Sequence, residues 1–318
     1  MSNSPSPGRS TAARQRLNTA SPRSISGWHS VRGVLVKPTP QRADTEAILP
    51  YVRSNGIQLA YEVSGSGANV LLIMGSGASA RVWEMYQTPA LNAAGYRTCA
   101  FDNRGIAPSA IPPGKYSLDD MVADTAGLIE ALDLAPCHVV GVSLGALIAQ
   151  ELAIEQPQLV RSAVLAATKS RSDRARRAQD AANRALRESG IELPRAYRAA
   201  KTVFDMLSPV TVDDDGAVAE WLDLFEYSGD GTAGGGQGWI DTGQDRRTEL
   251  ARVTAPCRVI TFTDDRISPP HLGAEVAEAI PDCDLVELED CGHLGYLERP
   301  EPFNQAVIEF LDKHSSLG

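Results

Sequence analysis

Beyond residue 50 the apolar residues fall into short unbroken runs, separated by stretches in which they recur every three or four positions. The runs Val70–Met74, Tyr96–Phe101, His138–Val142, Val160–Ala167, Arg258–Phe262 and Asp284–Leu288 are rich in Val, Ile and Leu and are bounded by Gly, Asp or Pro. Strands covered on both faces read as continuous apolar runs of this kind. Ahead of them, Tyr51-Val-Arg and Ile57–Val63 flank Asn55-Gly56, a dipeptide suited to a tight hairpin turn. Together these eight segments predict one mostly parallel sheet. Leu118, Met121, Val122, Leu128, Ile129 and Leu132 keep helical spacing behind a Ser117-x-x-Asp120 capping signal, and Leu144, Leu147, Ile148 and Leu152 do so in the next helix. Strand and helix alternate, which is the α/β class with helices flanking the sheet.

One interval breaks the alternation. Eighty-nine residues separate Ala167 from Cys257, opening on an Arg-rich helical stretch and closing near Gly234-Gly-Gly-Gln-Gly-Trp239. A connection this long inside a compact domain is usually functional, so residues 168–252 are expected to form an inserted helical lid, with the glycine stretch 231–238 as its flexible part. The N-terminal segment differs again: its first 42 residues hold seven basic residues, no acidic one, and much Ser, Pro and Thr. That composition cannot bury enough apolar surface to offset its ordering entropy, and residues 1–48 are expected to be a disordered arm, with a transit peptide as an alternative. The core is then 49–167 and 253–318.

Charge and composition narrow the partners. The chain has 318 residues, 43% of them apolar, and a mean hydropathy of −0.18, the profile of a soluble globular protein. Its net charge is −10, and setting aside the seven basic residues of the arm leaves 23 against 40 acidic ones. Nucleic acid and anionic membranes are disfavoured by repulsion. No apolar run is long enough for a membrane span or a secretory signal. Five scattered cysteines without a CxxC pair point to reduced thiols and a cytoplasmic setting, not to a disulfide or zinc framework.

The strongest chemical signal is His138-Val-Val-Gly141-Val-Ser143-Leu-Gly145, an apolar strand running through G-x-S-x-G into an apolar helix. In that context the serine sits on a tight strand-to-helix turn, exposed, at a helix N-terminus that favours an oxyanion. A serine nucleophile needs a base. His293, on the loop after the last strand, reaches the same carboxyl edge of the sheet as Ser143, where ligands of open α/β sheets collect. His29, His138, His271 and His314 are better read as structural or exposed. The acid that orients the imidazole follows the strand Arg258–Phe262 and is Asp265, or its neighbour Asp264. Asp102 and Arg104 are read as a turn and a buried ion pair.

These residues resemble the α/β-hydrolase superfamily, in particular its small lidded esterases, lactonases and thioesterases. The resemblance runs from Tyr51 to Lys313 and rests on Gly75, Phe101-Asp-Asn-Arg-Gly105, Ser143, the Asp265-Arg-Ile-x-Pro segment and Gly292-His293 followed by Glu298-Arg-Pro-Glu-Pro. It implies an oxyanion hole built from the N–H groups of Leu144 and Ser76. Two positions depart from the family pattern: Met74-Gly75 stands for the usual His-Gly, and Gly105-Ile-Ala-Pro-Ser109 for a longer glycine pattern.

The expected activity is hydrolysis of a hydrophobic small-molecule ester, lactone or thioester through an acyl-enzyme on Ser143, with no cofactor and no metal. Trp221, Phe225 and Trp239 are candidate pocket residues, although helical spacing in the 221–225 group equally suits a packed helix. Six arginines between Arg171 and Arg187 leave a coenzyme A or carrier-protein thioester open as a partner. The rival readings are a carbon–carbon bond hydrolase, a cyclase or acyltransferase, a cofactor-free haloperoxidase or perhydrolase, and a non-catalytic ligand receptor on the same fold.

Overall fold

The computed structural model describes residues 49–227 and 235–315, and ahead of them three short strands, β1 (Arg14–Leu17), β2 (His29–Val31) and β3 (Val34–Val36). The Asn55-Gly56 hairpin forms as β4 (Tyr51–Ser54) and β5 (Ile57–Gly65), both turn residues at positive φ. The six apolar runs become β6 (Asn69–Ile73), β7 (Arg97–Phe101), β8 (Cys137–Val142), β9 (Val160–Ala166), β10 (Cys257–Phe262) and β11 (Cys283–Leu288). The sheet order is β1-β11-β10-β9-β8-β6-β7-β5-β4. Only β5 pairs antiparallel with its neighbours, β4 and β7; every other pairing in this sheet is parallel. Strands β4 to β11 are thus the eight expected.

The ninth strand corrects one expectation. Within the arm expected to be disordered over residues 1–48, β1 pairs parallel with β11 and extends the sheet, while β2 and β3 pair with each other. An edge strand leaves a row of unpaired N–H and C=O groups that an extended segment of almost any composition can satisfy, so composition alone misses it. The rest of the arm lies outside the described residues.

In chain order the helices are α1 (Gln87–Ala93), α2 (Leu118–Ala131), α3 (Leu144–Glu155), α4 (Arg174–Ser189), α5 (Arg195–Met206), α6 (Pro209–Val212), α7 (Asp215–Tyr227), α8 (Arg247–Leu250), α9 (Pro270–Ala279), α10 (Gly295–Glu298) and α11 (Pro300–Ser315). The capping signal ahead of α2 closes as a reciprocal box: Ser117 Oγ accepts the Asp120 N–H at 3.1 Å, and Asp120 Oδ2 accepts the Ser117 N–H at 2.9 Å. Alternate strand residues point to opposite faces, and both faces are covered. Leu71, Val139, Leu165 and Val259 pack with Met121 and Leu128 of α2, Ile148 and Leu152 of α3, and Val276 of α9. Leu72, Val140, Val164 and Ile260 pack with Leu91 of α1 and with Phe303 and Phe310 of α11. Each such side chain contributes about 1.5–3 kcal/mol of burial.

Helices α4 to α8 and a 3₁₀ turn at Gly235–Trp239 fill the interval between β9 and β10. Residues 231–234 of the glycine stretch lie outside the described residues. The strand register sets where the loops emerge: Ile73 pairs with Gly141, Val142 with Ala166, Ala166 with Ile260 and Ile260 with Val286. The carboxyl ends of five adjacent strands are therefore level, and the loops that leave them meet above one edge.

Candidate active site

Ser143 is the single residue between β8 and α3, at φ 53° and ψ −118°. A positive φ at a non-glycine residue costs of order 1–3 kcal/mol and persists only where the surroundings impose it. Two close approaches impose it here. A Cβ on Gly141 would lie 2.3 Å from the Gly145 carbonyl oxygen, and one on Gly145 would lie 2.1 Å from that of Ile73. The glycines of G-x-S-x-G thus let strand and helix cross at a distance no side chain allows. The Ser143 N–H donates to the Ala166 carbonyl at 3.0 Å, and its own carbonyl accepts from Ala146 at 3.0 Å and Leu147 at 3.2 Å.

His293 arrives on the loop after β11. Its Nε2 is 2.9 Å from Ser143 Oγ and its Nδ1 is 2.8 Å from Asp265 Oδ2. The other carboxylate oxygen, Oδ1, accepts the backbone N–H groups of Ile267 and Ser268, each at 2.8 Å, so the carboxylate cannot turn away. A carboxylate only accepts, so Nδ1 carries the proton and Nε2 is left to accept from the serine hydroxyl. Of the two acids open from sequence, the structure brings Asp265 to the imidazole. The Asp264 backbone N–H instead donates to the Cys291 carbonyl at 3.0 Å, and burial pushes its carboxyl pKa up. Cys291, two residues before His293, is buried, which raises its thiol pKa and keeps it protonated and inert.

The loop after β6 passes directly over the serine: a Cβ on Gly75 would be 3.3 Å from Ser143 Cβ. Ser76 is the next residue of this loop, and Leu144 is the first residue of α3, whose N–H has no acceptor within the helix. One residue that sequence reasoning passed over holds this loop. Gln237, buried in the 3₁₀ turn, accepts the Gly77 N–H at 2.9 Å and the Ser76 hydroxyl at 3.2 Å, and donates to the Arg104 carbonyl at 2.7 Å. It sits in a glycine-rich run without a periodic pattern, so nothing in the sequence marks it. Glu298 is the second omission. One of its oxygens accepts the Gly292 N–H at 2.6 Å, while the other accepts the Ser208 N–H at 3.0 Å, the Ser208 hydroxyl at 2.8 Å and the Thr211 hydroxyl at 2.6 Å. The sequence shows it only as part of a motif behind His293.

A family model described as "Alpha/beta hydrolase family" matches residues 70–306, a span that holds Ser143, Asp265 and His293. The chain belongs to the alpha/beta hydrolase family. It is 44% identical over 256 residues to a Mycobacterium tuberculosis protein named "Putative non-heme bromoperoxidase BpoC", covering 80% of this chain and 97% of that one. A solved structure, that of Rv0554 from Mycobacterium tuberculosis, superposes with a TM-score of 0.77 at 43% identity, covering 81% of this chain and 94% of the other. The 3-oxoadipate enol-lactonase 2 of Acinetobacter baylyi is 30% identical over 67% of this chain and 77% of its own length.

In this alpha/beta hydrolase the three candidate pocket residues sit differently. Trp221 stacks on Phe225 with ring centroids 5.4 Å apart, and Trp221 is buried with Val203 and Leu207. Leu294, the neighbour of His293, packs on the same cluster. Trp239 sits among cations: its ring lies 4.0 Å from the Lys115 ammonium and 5.9 Å from the Arg187 guanidinium. The ion pair expected at Asp102 and Arg104 forms with another partner. Arg104 donates bidentately to Asp124 of α2 at 2.5 and 2.7 Å, which raises the guanidinium pKa. Asp102 accepts the Ala80 N–H at 2.7 Å. Away from the site, His138 is bound to Ser162 and Ser315, His271 is exposed beside Asp173, and His314 packs on Phe310. Among the described residues no group of three or more His, Cys, Asp or Glu is placed to hold a metal, and no helix is long and apolar enough to cross a membrane.

Proposed function

We propose that this chain is a serine hydrolase that cleaves a hydrophobic small-molecule ester, lactone or thioester through an acyl-enzyme on Ser143. The observation that carries this reading is the unbroken relay from Asp265 through His293 to Ser143 at 2.8 and 2.9 Å, with each end fixed by its own backbone contacts. Ser143 Oγ attacks the carbonyl carbon as His293 Nε2 takes its proton, and the Asp265 carboxylate stabilises the imidazolium. The negative charge developing on the carbonyl oxygen is held by the N–H groups of Leu144 and Ser76. Collapse expels the alcohol or thiol, protonated by His293. Water, deprotonated by the same imidazole, then attacks the acyl-enzyme, releases the acid and restores the serine.

Several observations support a small apolar substrate. The helical insertion sets an apolar cluster of Val203, Leu207 and Trp221 against Leu294, consistent with a lid, and a lactonase is among the relatives. Helix α4, with no buried residue and Arg174 and Arg184 exposed, supports an anionic thioester as one form of substrate; KM for coenzyme A thioesters should then rise with salt while KM for neutral esters does not. The five cysteines are free, which fits a reducing cytoplasm. The deciding experiment is covalent labelling by a fluorophosphonate, followed by turnover of acyl esters, lactones and thioesters graded by chain length. Labelling of the wild type but not of Ser143→Ala is expected; absence of labelling in the folded wild type would favour a ligand receptor.

A second reading is favoured by the 44% identical relative whose name is a bromoperoxidase. The same acyl-enzyme attacked by hydrogen peroxide in place of water releases a peracid and regenerates the serine, and the peracid oxidises bromide. Bromination by the wild type with hydrogen peroxide, bromide and a short carboxylic ester, lost in Ser143→Ala, would establish it.

A further inference from the structure

The geometry points to Gln237 as a positioning residue for the oxyanion hole, through which the inserted helices become part of the catalytic apparatus. It rests on the serine-hydrolase reading and deepens it. Ser76 lies in a loop with little of its own to hold it: between Gly75 and Ala78 the backbone closes only through an Ala78 N–H to Gly75 carbonyl contact at 3.5 Å, the outer limit of a hydrogen bond. Gly77, at φ 76°, tolerates a conformation most residues resist and is correspondingly easy to move. What fixes the loop comes from 160 residues away, where Gln237 Oε1 accepts both the Gly77 N–H and the Ser76 hydroxyl.

The orientation of the Gln237 amide is dictated by its partners. Its oxygen faces two donors and its nitrogen faces the Arg104 carbonyl at 2.7 Å, so reversing it would set donor against donor and acceptor against acceptor. Both sides of the amide are themselves anchored. Arg104 is locked by its bidentate bond to Asp124. The 3₁₀ turn is seated by Gly236, whose carbonyl accepts the Tyr116 N–H at 3.3 Å and whose missing side chain leaves room for the Gly114 carbonyl, 2.3 Å from where a Cβ would be. Gln237 is 3% exposed. A buried amide whose oxygen takes two donors and whose nitrogen is bonded to a carbonyl is a rigid strut, and this one ends on the Ser76 side chain and on the peptide N–H that follows it, either side of the Ser76 backbone.

Removing one oxyanion donor outright costs about 10²- to 10³-fold in kcat. A donor that remains but is misaimed should lose part of that. Gln237→Ala is expected to lower kcat for p-nitrophenyl acetate about 10- to 100-fold with KM within about threefold of wild type, the signature of an interaction made in the transition state. Affinity for a phenylboronic acid, whose tetrahedral serine adduct places an oxygen in the hole, should fall in parallel, while affinity for the acetate product should not. Gln237→Glu has the same size and serves if the alanine variant unfolds; it keeps an acceptor for Gly77 but sets oxygen against the Arg104 carbonyl, and its kcat loss should persist. Folded variants of either kind with kcat and boronate affinity within twofold of wild type, or with a loss confined to KM, would overturn the inference. Ser143→Ala is assayed alongside. If that variant retains turnover, the serine-hydrolase reading itself fails, an outcome distinct from an inactive Ser143→Ala with unaffected Gln237 variants.

Discussion

At the scale of single residues, the site is organised by what each atom is able to donate or accept. Asp265 has both oxygens committed, one to two backbone N–H groups and one to His293. Asp265→Asn keeps the shape but adds an N–H donor where only acceptance works, and it selects the wrong imidazole tautomer. A fall in kcat of about three to four orders of magnitude with the fold intact is expected, read by steady-state hydrolysis beside circular dichroism. His138 makes a different residue-scale prediction. Burial, then the charges of Arg161 and His314, push its pKa down to about 4, against about 6.5 for a free histidine. Between those values the unfolded chain binds a proton that the folded chain refuses, so stability is present above pH 6.5 and drains away as pH falls towards 4. The full window is worth about 3 kcal/mol. Denaturant midpoints of wild type and His138→Gln, measured from pH 7 to 4, should converge at the acid end; parallel curves would refute it.

At the scale of elements, the insertion is fastened to the sheet at two places that both bear on chemistry. Gln237 reaches the loop after β6, and Glu298 joins the capping residue of α6 to the histidine loop. A Cβ on Gly292 would lie 2.4 Å from the Met206 carbonyl, so that loop lies directly on the end of α5. Glu298→Ala leaves the Gly292 N–H and the Ser208 and Thr211 groups without their shared acceptor. A loss of about 3 kcal/mol is expected from breaking a buried charged network, together with a drop in kcat as His293 loosens, measured by thermal melts and turnover on the same sample. Neither fastening is legible in the sequence. A periodic pattern reports which face of an element is buried, and it locates all six apolar strands; a hydrogen bond between a glutamine in a glycine run and a loop 160 positions earlier has no period.

At the scale of the whole molecule, legibility divides in the same way. The relay is readable because Ser143 lies in a motif that names its own backbone geometry and His293 lies on a loop after the last strand, both at one sheet edge. The choice between Asp264 and Asp265 needs coordinates, because adjacent residues on a turn point in different directions. The surroundings of Trp239 need coordinates as well, because Lys115 and Arg187, which flank its ring, come from distant segments. The core itself admits a global test. Phe262, fully buried, touches Phe303 with centroids 6.3 Å apart and fills the space beside Gly295. Phe262→Ala should cost about 3–5 kcal/mol, lowering the denaturant midpoint without changing the slope of the transition.

The level carboxyl ends of β6, β8, β9, β10 and β11 carry a consequence for how this scaffold could be re-engineered. Because each strand delivers its loop at the same height, the stretch between β9 and β10 resembles an exchangeable cassette, and transplanting one from another hydrolase would look like a simple route to new specificity. The two fastenings make it less modular than that. A graft that carries its own aromatic residues but lacks a glutamine for Gly77 and a hydroxyl for Glu298 should bind the new substrate and turn it over poorly, and restoring those two contacts should recover rate without altering preference.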